Sequence, residues 1–392
     1  MKSEWNKAPL RELVDYISKG IAPSYAERES KTTVRVLNQK CNRNFRISYS
    51  ESRLHDLTKK KVPPERYVRV DDILINSTGA GTAGRIAQIS NVPCDTIIDG
   101  HMIIIRANDK VLQKYLGYAL KAHQWEVLQL DEGSTGQTEL NRERLLDEII
   151  ISFPTSLELQ EAIVKTLEGI DRKLLLNEKV NDNLQQQAAA LFANFYDQAE
   201  TEVGFTEIIQ ILGGGTPKTG ESSYWNGNVP FFTPKDVGLP YTITTEKTIT
   251  EEGLAHCNSR LYPINTVFVT ARGTVGKVGL PGVPMAMNQS CYALVGKDTH
   301  QLLVYFYTLK VVDRLKHKAS GAVFDAITTR DFESEIIMKL SDDDAKAFLD
   351  VAEPIYQAVL SNSIENLRLA ALRDSLLPKL MSGEIDVSDI QL

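Results

Sequence analysis

Apolar residues recur at Ile163, Leu167, Ile170, Leu174, Leu184, Ala188, Leu191 and Phe195, in steps that alternate between four and three once Asn177 and Asn181 fill the middle rungs. That spacing keeps one face of a helix apolar and predicts a long amphipathic helix. Adding 185 to each number gives Phe348, Ala352, Ile355, Val359, Asn362, Asn366, Leu369, Arg373, Leu376 and Leu380. The phase is kept, and both asparagines recur on the same rungs. Gly169 in the first copy falls on Pro354 in the second, so each helix is expected to weaken or break at that point. A period this long is too large for a solenoid repeat. It implies two similar domains, each followed by a long helix.

The segments ahead of the helices mix short β-like runs, Asp72–Asn76 and Thr96–Ile105, with turn clusters and one short helix near Leu112–Gln129. Ser156 and Ser341 stand where helix N-caps belong, and Asp342, Asp343 and Asp344 place carboxylates at the positive end of the second helix. Gly383 supplies a C-terminal stop. These marks divide the chain into a domain at 1–153, a helical spacer at 154–200, a second domain at 201–340 and a C-terminal helical spacer at 341–392. The domains themselves match: Ile73-Leu-Ile-Asn-Ser with Val267-Phe-Val-Thr-Ala, Ala83-Gly-Arg-Ile with Val275-Gly-Lys-Val, and Asp99-Gly-His-Met with Asn288-Gln-Ser-Cys. The strands agree better than the polar loops between them. The expected fold is α+β: two similar globular domains, each followed by a long helix, with the two helices pairing as an antiparallel coiled coil.

A chain of 392 residues is long enough for two domains with real cores. Cys41, Cys94, Cys257 and Cys291 show no CxxC spacing, which argues against zinc or a disulfide framework and fits a cytoplasmic protein. The first ten residues have no apolar core and no stretch approaches 18 apolar residues, so neither secretion nor membrane spanning is expected. The net charge of −7 argues against a nucleic-acid partner until it is mapped. Residues 1–155 hold 23 Lys/Arg against 20 Asp/Glu, and 203–340 hold 13 against 12. Residues 156–202 and 341–392 hold 4 against 9 and 4 against 10. The acidity therefore sits in the helices, and within 31–69 eleven Lys/Arg face only three Asp/Glu.

No catalytic constellation stands out. Gly79-Ala-Gly-Thr-Ala-Gly84 is a literal GxGxxG, but a dinucleotide or methyl-donor site needs it to open a helix, and the residues that follow read as strand and turn. A tight hairpin is the better reading. Gly215–Gly220 has the outline of a P-loop, with Glu221 where the phosphate-binding lysine is required. The six histidines form no metal-ligand pair, and no nucleophile elbow is present.

A basic run is by default a solvated face. Here it is interleaved with Asn38, Gln39, Asn42, Asn44, Phe45 and Tyr49, which points to phosphate contacts from cations and base-edge contacts from amides. The DNA-contact candidates in the first domain are Arg43, Arg46, Lys59, Lys60, Lys61, Ser77, Thr78 and His101. In the second they are Lys218, Thr233, Lys235, Arg272, Lys277, Asn288 and Gln289, all in polar loops flanking strands. Asn177, Asn181, Asn362 and Asn366 are candidates to set helix register, since buried polar residues in a coiled coil do so at some cost in stability.

Several motifs of the second domain together are similar to one family. They are Gly214-Gly-Thr-Pro-Lys, Tyr224-Trp-Asn-Gly-Asn-Val-Pro-Phe-Phe-Thr-Pro-Lys-Asp-Val, Thr270-Ala-Arg-Gly-Thr-Val-Gly-Lys-Val and Met287-Asn-Gln. With the helix ends Leu157-Glu-Leu-Gln-Glu-Ala-Ile and Leu376-Leu-Pro-Lys-Leu-Met-Ser-Gly-Glu-Ile, they resemble the specificity subunits of type I restriction-modification systems. The first domain lacks the GGTP and TPKD signatures, and Ser341-Asp-Asp-Asp lacks the Glu-Gln of the other helix start. The resemblance implies a non-catalytic reader of an asymmetric, interrupted DNA sequence, one domain per half-site. It implies helices that dock two methyltransferase subunits, with motor/nuclease subunits completing a restriction complex. S-adenosylmethionine, ATP and Mg²⁺ would belong to those partners. A system whose methylase and nuclease are fused in one chain would use a similar subunit. The reading from another class is a nucleotide-binding enzyme using Gly79–Gly84.

Overall fold

The computed structural model describes residues 4–132, 139–238, 240–318 and 326–387; residues 388–392 of the expected C-terminal spacer lie outside them. The chain forms two compact units, residues 1–172 with 370–392, and residues 173–369. Each unit holds one globular domain and a stretch of both long helices.

In the first unit a four-stranded antiparallel sheet runs in the order β2 (Val14–Lys19), β8 (Met102–Ala107), β5 (Ile73–Asn76), β6 (Ile86–Gln88). The apolar run of β5 has no polar alternation because both faces are covered. Ile73 and Ile75 join Ile103 and Ile105 in the main core under helix α1 (Gln113–Ala122). Leu74, Met102 and Ile104 face a second core with Leu37 and Cys41. Leu37 belongs to a second sheet, in which β3 (Thr33–Leu37) pairs antiparallel with β4 (Arg53–Asp56) and parallel with β7 (Thr96–Ile98). The terminal strands β1 (Trp5–Pro9) and β9 (Ile150–Pro154) close the domain as an antiparallel pair. The first long helix, α3 (Leu157–Gln198), follows α2 (Arg142–Glu148) and β9.

The second unit repeats this plan. Strands β11 (Ile209–Gly213), β17 (Cys291–Gly296), β14 (Val267–Thr270) and β15 (Val278–Pro281) stand in the same order and sense as β2, β8, β5 and β6. Strand β12 (Trp225–Phe232) pairs antiparallel with β13 (Lys247–Ile249) and parallel with β16 (Ala286–Met287), as β3 does with β4 and β7. Strands β10 (Thr201–Gly204) and β18 (Ile336–Lys339) close it, with α4 (Gln301–Lys318) in the place of α1 and α5 (Thr329–Glu333) in that of α2. The sorting by period two also repeats: Val267 and Val269 face the helical core and Phe268 faces the second sheet. The second long helix, α6 (Asp342–Ser382), comes next.

Two expectations are corrected. The run Thr96–Ile105 is not one strand, because it divides at Asp99–His101 and sends its halves, β7 and β8, to different sheets. There Gly20 lies so close to the Asp99 carbonyl that an added Cβ would meet it at 2.0 Å. Nor does either long helix break: α3 runs through Gly169, and α6 runs through Pro354 and Pro378. Glycine costs a helix about 1 kcal/mol and proline about 3, while each fully buried large apolar side chain returns about 1.5–3 kcal/mol. Gly169 and Pro354 are both exposed, and the neighbouring turns bury Ile163, Leu167, Ala352 and Tyr356.

The helices pair antiparallel within each unit. In the first, Leu159, Ile163 and Leu167 pack with Leu377, Leu380 and Met381. In the second, Ala188 and Phe192 pack with Phe348, Ala352 and Val359. Helix α6 ends at Gly383, whose φ of +75° suits glycine and whose Cβ, if present, would meet the Trp5 ring at 2.7 Å.

Candidate nucleic-acid interface

The central strand of each main sheet runs into a turn held by the same backbone bonds. In the first unit Gly84 N–H donates to Asn76 O, Asn76 N–H to Arg85 O, Ser77 N–H to His101 O, and Leu140 N–H to Ser77 O. In the second, Gly276 N–H donates to Thr270 O, Thr270 N–H to Lys277 O, Ala271 N–H to Ser290 O, and Ile327 N–H to Ala271 O. Gly84 and Gly276 have φ of +82° and +76°, so both turns need a residue without a Cβ there. The tips differ. Thr78, whose hydroxyl is hydrogen-bonded to His101 Nδ1 at 2.6 Å, occupies the place that Arg272 takes in the second unit. The turn at Gly79–Gly84 leads into β6, which pairs antiparallel with β5. A dinucleotide fingerprint requires a helix at that point.

The motifs singled out in the second domain meet around its turn. Gly215 N–H donates to Met287 O, and Thr216 donates through its hydroxyl to Gln289. Asn288 N–H donates to Phe232 O, and Thr274 Oγ1 to Pro234 O. Thr233 closes its own turn by donating its N–H and hydroxyl to Asp236 Oδ2 at 2.8 and 2.6 Å. Lys218, Lys235, Arg272, Lys277 and Gln289 are exposed along these loops, and Lys235 lies 3.9 Å from Glu246. The loops thus present cations and amides on a framework fixed by backbone bonds.

The first unit builds the equivalent place from other residues. Asp99 N–H donates to Leu37 O, as Asn288 does to Phe232. Asp99 is buried, which pushes its carboxyl above the usual range, and its Oδ1 accepts from His101 N–H at 2.9 Å. Arg43 and Arg46 are exposed and flank the tip of a small hairpin, paired across Asn42–Arg43 and Arg46–Ile47. That hairpin is tied to the turn through Asn42, whose amide donates to Arg85 O and to Asn76 Oδ1.

The lysine run and Ser77 stand apart from the tip of that turn. Lys59 and Lys61 are exposed, with Lys59 3.9 Å from Asp56, while Lys60 Nζ donates to Ala22 O at 2.9 Å. No bond among the described residues joins these lysines to the Thr78 turn. Ser77 is 1% exposed, and its hydroxyl has no partner among the described residues. Its side chain is not offered to a ligand; Ser77 serves the framework through its backbone because β5 runs under the turn there.

The seam asparagines bond across the helix pair of the second unit. Asn177 Nδ2 donates to Asn366 Oδ1 and to Glu365 Oε2, at 2.8 and 2.7 Å. Asn362 Nδ2 donates to Asn181 Oδ1 at 2.8 Å, and Asn181 Nδ2 donates to Val359 O at 3.3 Å. Residue pairs whose numbers sum to one constant are the mark of an antiparallel register, and 177 with 366 and 181 with 362 do so.

The sequence matches the type I restriction modification DNA specificity domain over residues 2–186 and again over 201–339. The chain belongs to this family. It is similar to the MjaIX specificity subunit of Methanocaldococcus jannaschii, 32% identical over 124 residues, 30% of this chain and 29% of that one. It is also similar to the EcoR124I/EcoR124II specificity subunit of Escherichia coli, 27% identical over 213 residues, 51% of each chain. The chain thus spans about half, or less, of the length of the curated relatives it matches. In fold it is similar to the crystal structure of the S subunit of a type I restriction-modification system from M. genitalium, with a TM-score of 0.60 and 14% identity, covering 97% of this chain and 96% of that one.

Some residues that shape these surfaces carry little signal in the sequence. Gln160 is fully buried, accepts from Leu112 N–H and donates to Lys110 O and Pro154 O. Lys121, Asp171 and Arg373 form an ionic junction beside the Arg43–Arg46 hairpin. Only Arg373 has a visible trace, as a charged residue on an otherwise apolar rung. All four cysteines are free, and no helix among the described residues is long and apolar enough to cross a membrane.

Proposed function

We propose that this protein is a non-catalytic DNA-specificity subunit that reads a bipartite, asymmetric target, one domain per half-site. The observation that carries this reading is the repeated framework with unlike tips. Identical backbone bonds hold the turn after the central strand in both domains, while Thr78 and His101 stand in one and Arg272, Asn288 and Gln289 in the other. A shared scaffold with different polar tips suits recognition of two different sequences, because hydrogen bonds to base edges carry specificity and framework position does not. Phosphate contacts would come from Arg43, Arg46, Lys59, Lys61, Lys218, Lys235 and Lys277, all exposed.

The helix pair would hold the two readers in register through its asparagines and offer its acidic outer face to two methyltransferase subunits. Restriction would need further motor/nuclease subunits. S-adenosylmethionine, ATP and Mg²⁺ would act in those partners, and the assembly would work in the cytoplasm. The test is domain exchange. Residues 1–153 are replaced by the corresponding domain of a relative, and the methylated motif is mapped across genomic DNA in cells that supply the methyltransferase. One half of the motif should change and the other stay. A change in both halves, or in neither, would refute one reader per half-site.

A further inference from the structure

At the tip of the basic hairpin in the first unit, Asn44 and Phe45 have φ of +52° and +60°. Two successive positive φ values are the mark of a tight two-residue hairpin turn, where glycine is favoured at the second place. A phenylalanine there needs a reason. Its ring lies under the ammonium of Lys121, 4.9 Å from the ring centroid, and the same ammonium is 5.7 Å from the Tyr118 ring.

Lys121 is itself held from behind. Its Nζ is 3.8 Å from Asp171 on α3, and its side chain is only 10% exposed. Asp171 also accepts from the Tyr118 hydroxyl at 2.8 Å and from Arg373 Nη1 of α6 at 2.9 Å. Arg373 pairs in addition with Asp374. Two cations thus share Asp171 in a half-buried place, and burial lowers the affinity of Lys121 for its proton.

The second unit builds the same place without charge. By the repeat, Phe306 stands for Tyr118, Tyr356 for Asp171 and Ala188 for Arg373, and all three are buried in one aromatic core. An apolar junction is therefore available to this fold, and buried ion pairs are commonly no more stable than the apolar groups that could replace them. What differs in the first unit is the hairpin. Lys121 touches it through the Phe45 ring.

We propose that Lys121 is a positioning residue for reading the first half-site: it seats the Phe45 ring and so aims Arg43 and Arg46. This rests on the DNA-reading function proposed above. Asp171 and Arg373 fix where the ammonium stands, so the hairpin takes its bearing from both long helices.

The test maps the methylated motif made by the full chain co-expressed with its methyltransferase, for the unaltered protein, Lys121→Met, Lys121→Arg and Phe45→Gly. Methionine keeps the stem without the cation, and glycine removes the ring while accepting positive φ. Lys121→Met and Phe45→Gly should each lose about tenfold in discrimination at one or two positions of the first half-site. The second half-site should be unchanged, and Lys121→Arg should restore the original motif because guanidinium also stacks on aromatic faces. A merely structural role would degrade both halves together through loss of folded protein. An unchanged first half-site in Lys121→Met, or equal damage to both halves, would overturn the inference. If the unaltered chain selects no motif, the DNA-reading function fails and the inference with it.

Discussion

Gln160 and Ala345 occupy the same place in the two repeats, and exchanging their roles is a sharp test of the structure. Each lies one turn into its long helix: Gln160 N–H bonds Ser156 O, and Ala345 N–H bonds Ser341 O. The Gln160 side chain accepts from Leu112 N–H at 2.8 Å and donates to Pro154 O and Lys110 O at 2.9 and 3.1 Å. In the second unit the corresponding space is a cleft of about 400 Å³, lined among others by Asp298, His300, Leu340, Ala345, Lys346 and Glu353. Truncating Gln160 to alanine strands one N–H and two carbonyls. At about 0.5–1.5 kcal/mol net for each of these hydrogen bonds, a loss of about 1.5–4.5 kcal/mol follows. For a unit of this size that is a fall in Tm of about 3–18 °C. Ala345→Gln should do the reverse but less, about 1 kcal/mol, because the groups lining an open cleft are already hydrated. Calorimetry of the full chain measures both, and hydrogen exchange over residues 110–116 and 298–304 assigns each transition to its unit. If Gln160→Ala unfolds within about 0.5 kcal/mol of the unaltered chain, the three bonds do not hold the helix start.

Two further outcomes are expected. Asp99 is buried with a raised carboxyl pKa, so the folded state holds its proton more tightly than the unfolded chain and stability falls as pH rises through that range. Asp99→Asn, which installs the residue found at Asn288, should raise Tm at pH 7, and the gain should vanish below about pH 4; a gain that persists at pH 3 would show that charge burial is not its cause. In the helix pair, Asn177→Leu alone should cost about 1–3 kcal/mol by stranding the Asn366 side-chain oxygen, whereas Asn177→Leu with Asn366→Leu should recover most of it. Denaturant titrations of the double-mutant cycle check this, and strict additivity of the two losses would mean that the amides do not pair.

The duplication, the α+β class and the antiparallel helix pair are legible in the sequence because each rests on local periodicity. A four-three ladder and a run such as Ile73-Leu-Ile state how many faces of an element must be covered, and repeating them states that the covering recurs. The family motifs of the second domain are legible for the same reason: Gly214, Asn288 and Arg272 stand where backbone approach and loop chemistry restrict the residue type. Other features depend on partners distant in the chain. Whether Gly169 and Pro354 break a helix turns on how much apolar surface the neighbouring turns bury, and that is decided by the opposite helix. The split of Thr96–Ile105 turns on the close approach of Gly20, some eighty residues earlier. The Lys121–Asp171–Arg373 junction joins three elements, so no window of sequence contains it. Periodicity determined which elements form and that they form twice. Tertiary packing alone decided which polar side chains are turned to solvent, like Arg272, and which are enclosed, like Ser77, because burial belongs to the neighbours of a residue and not to its type.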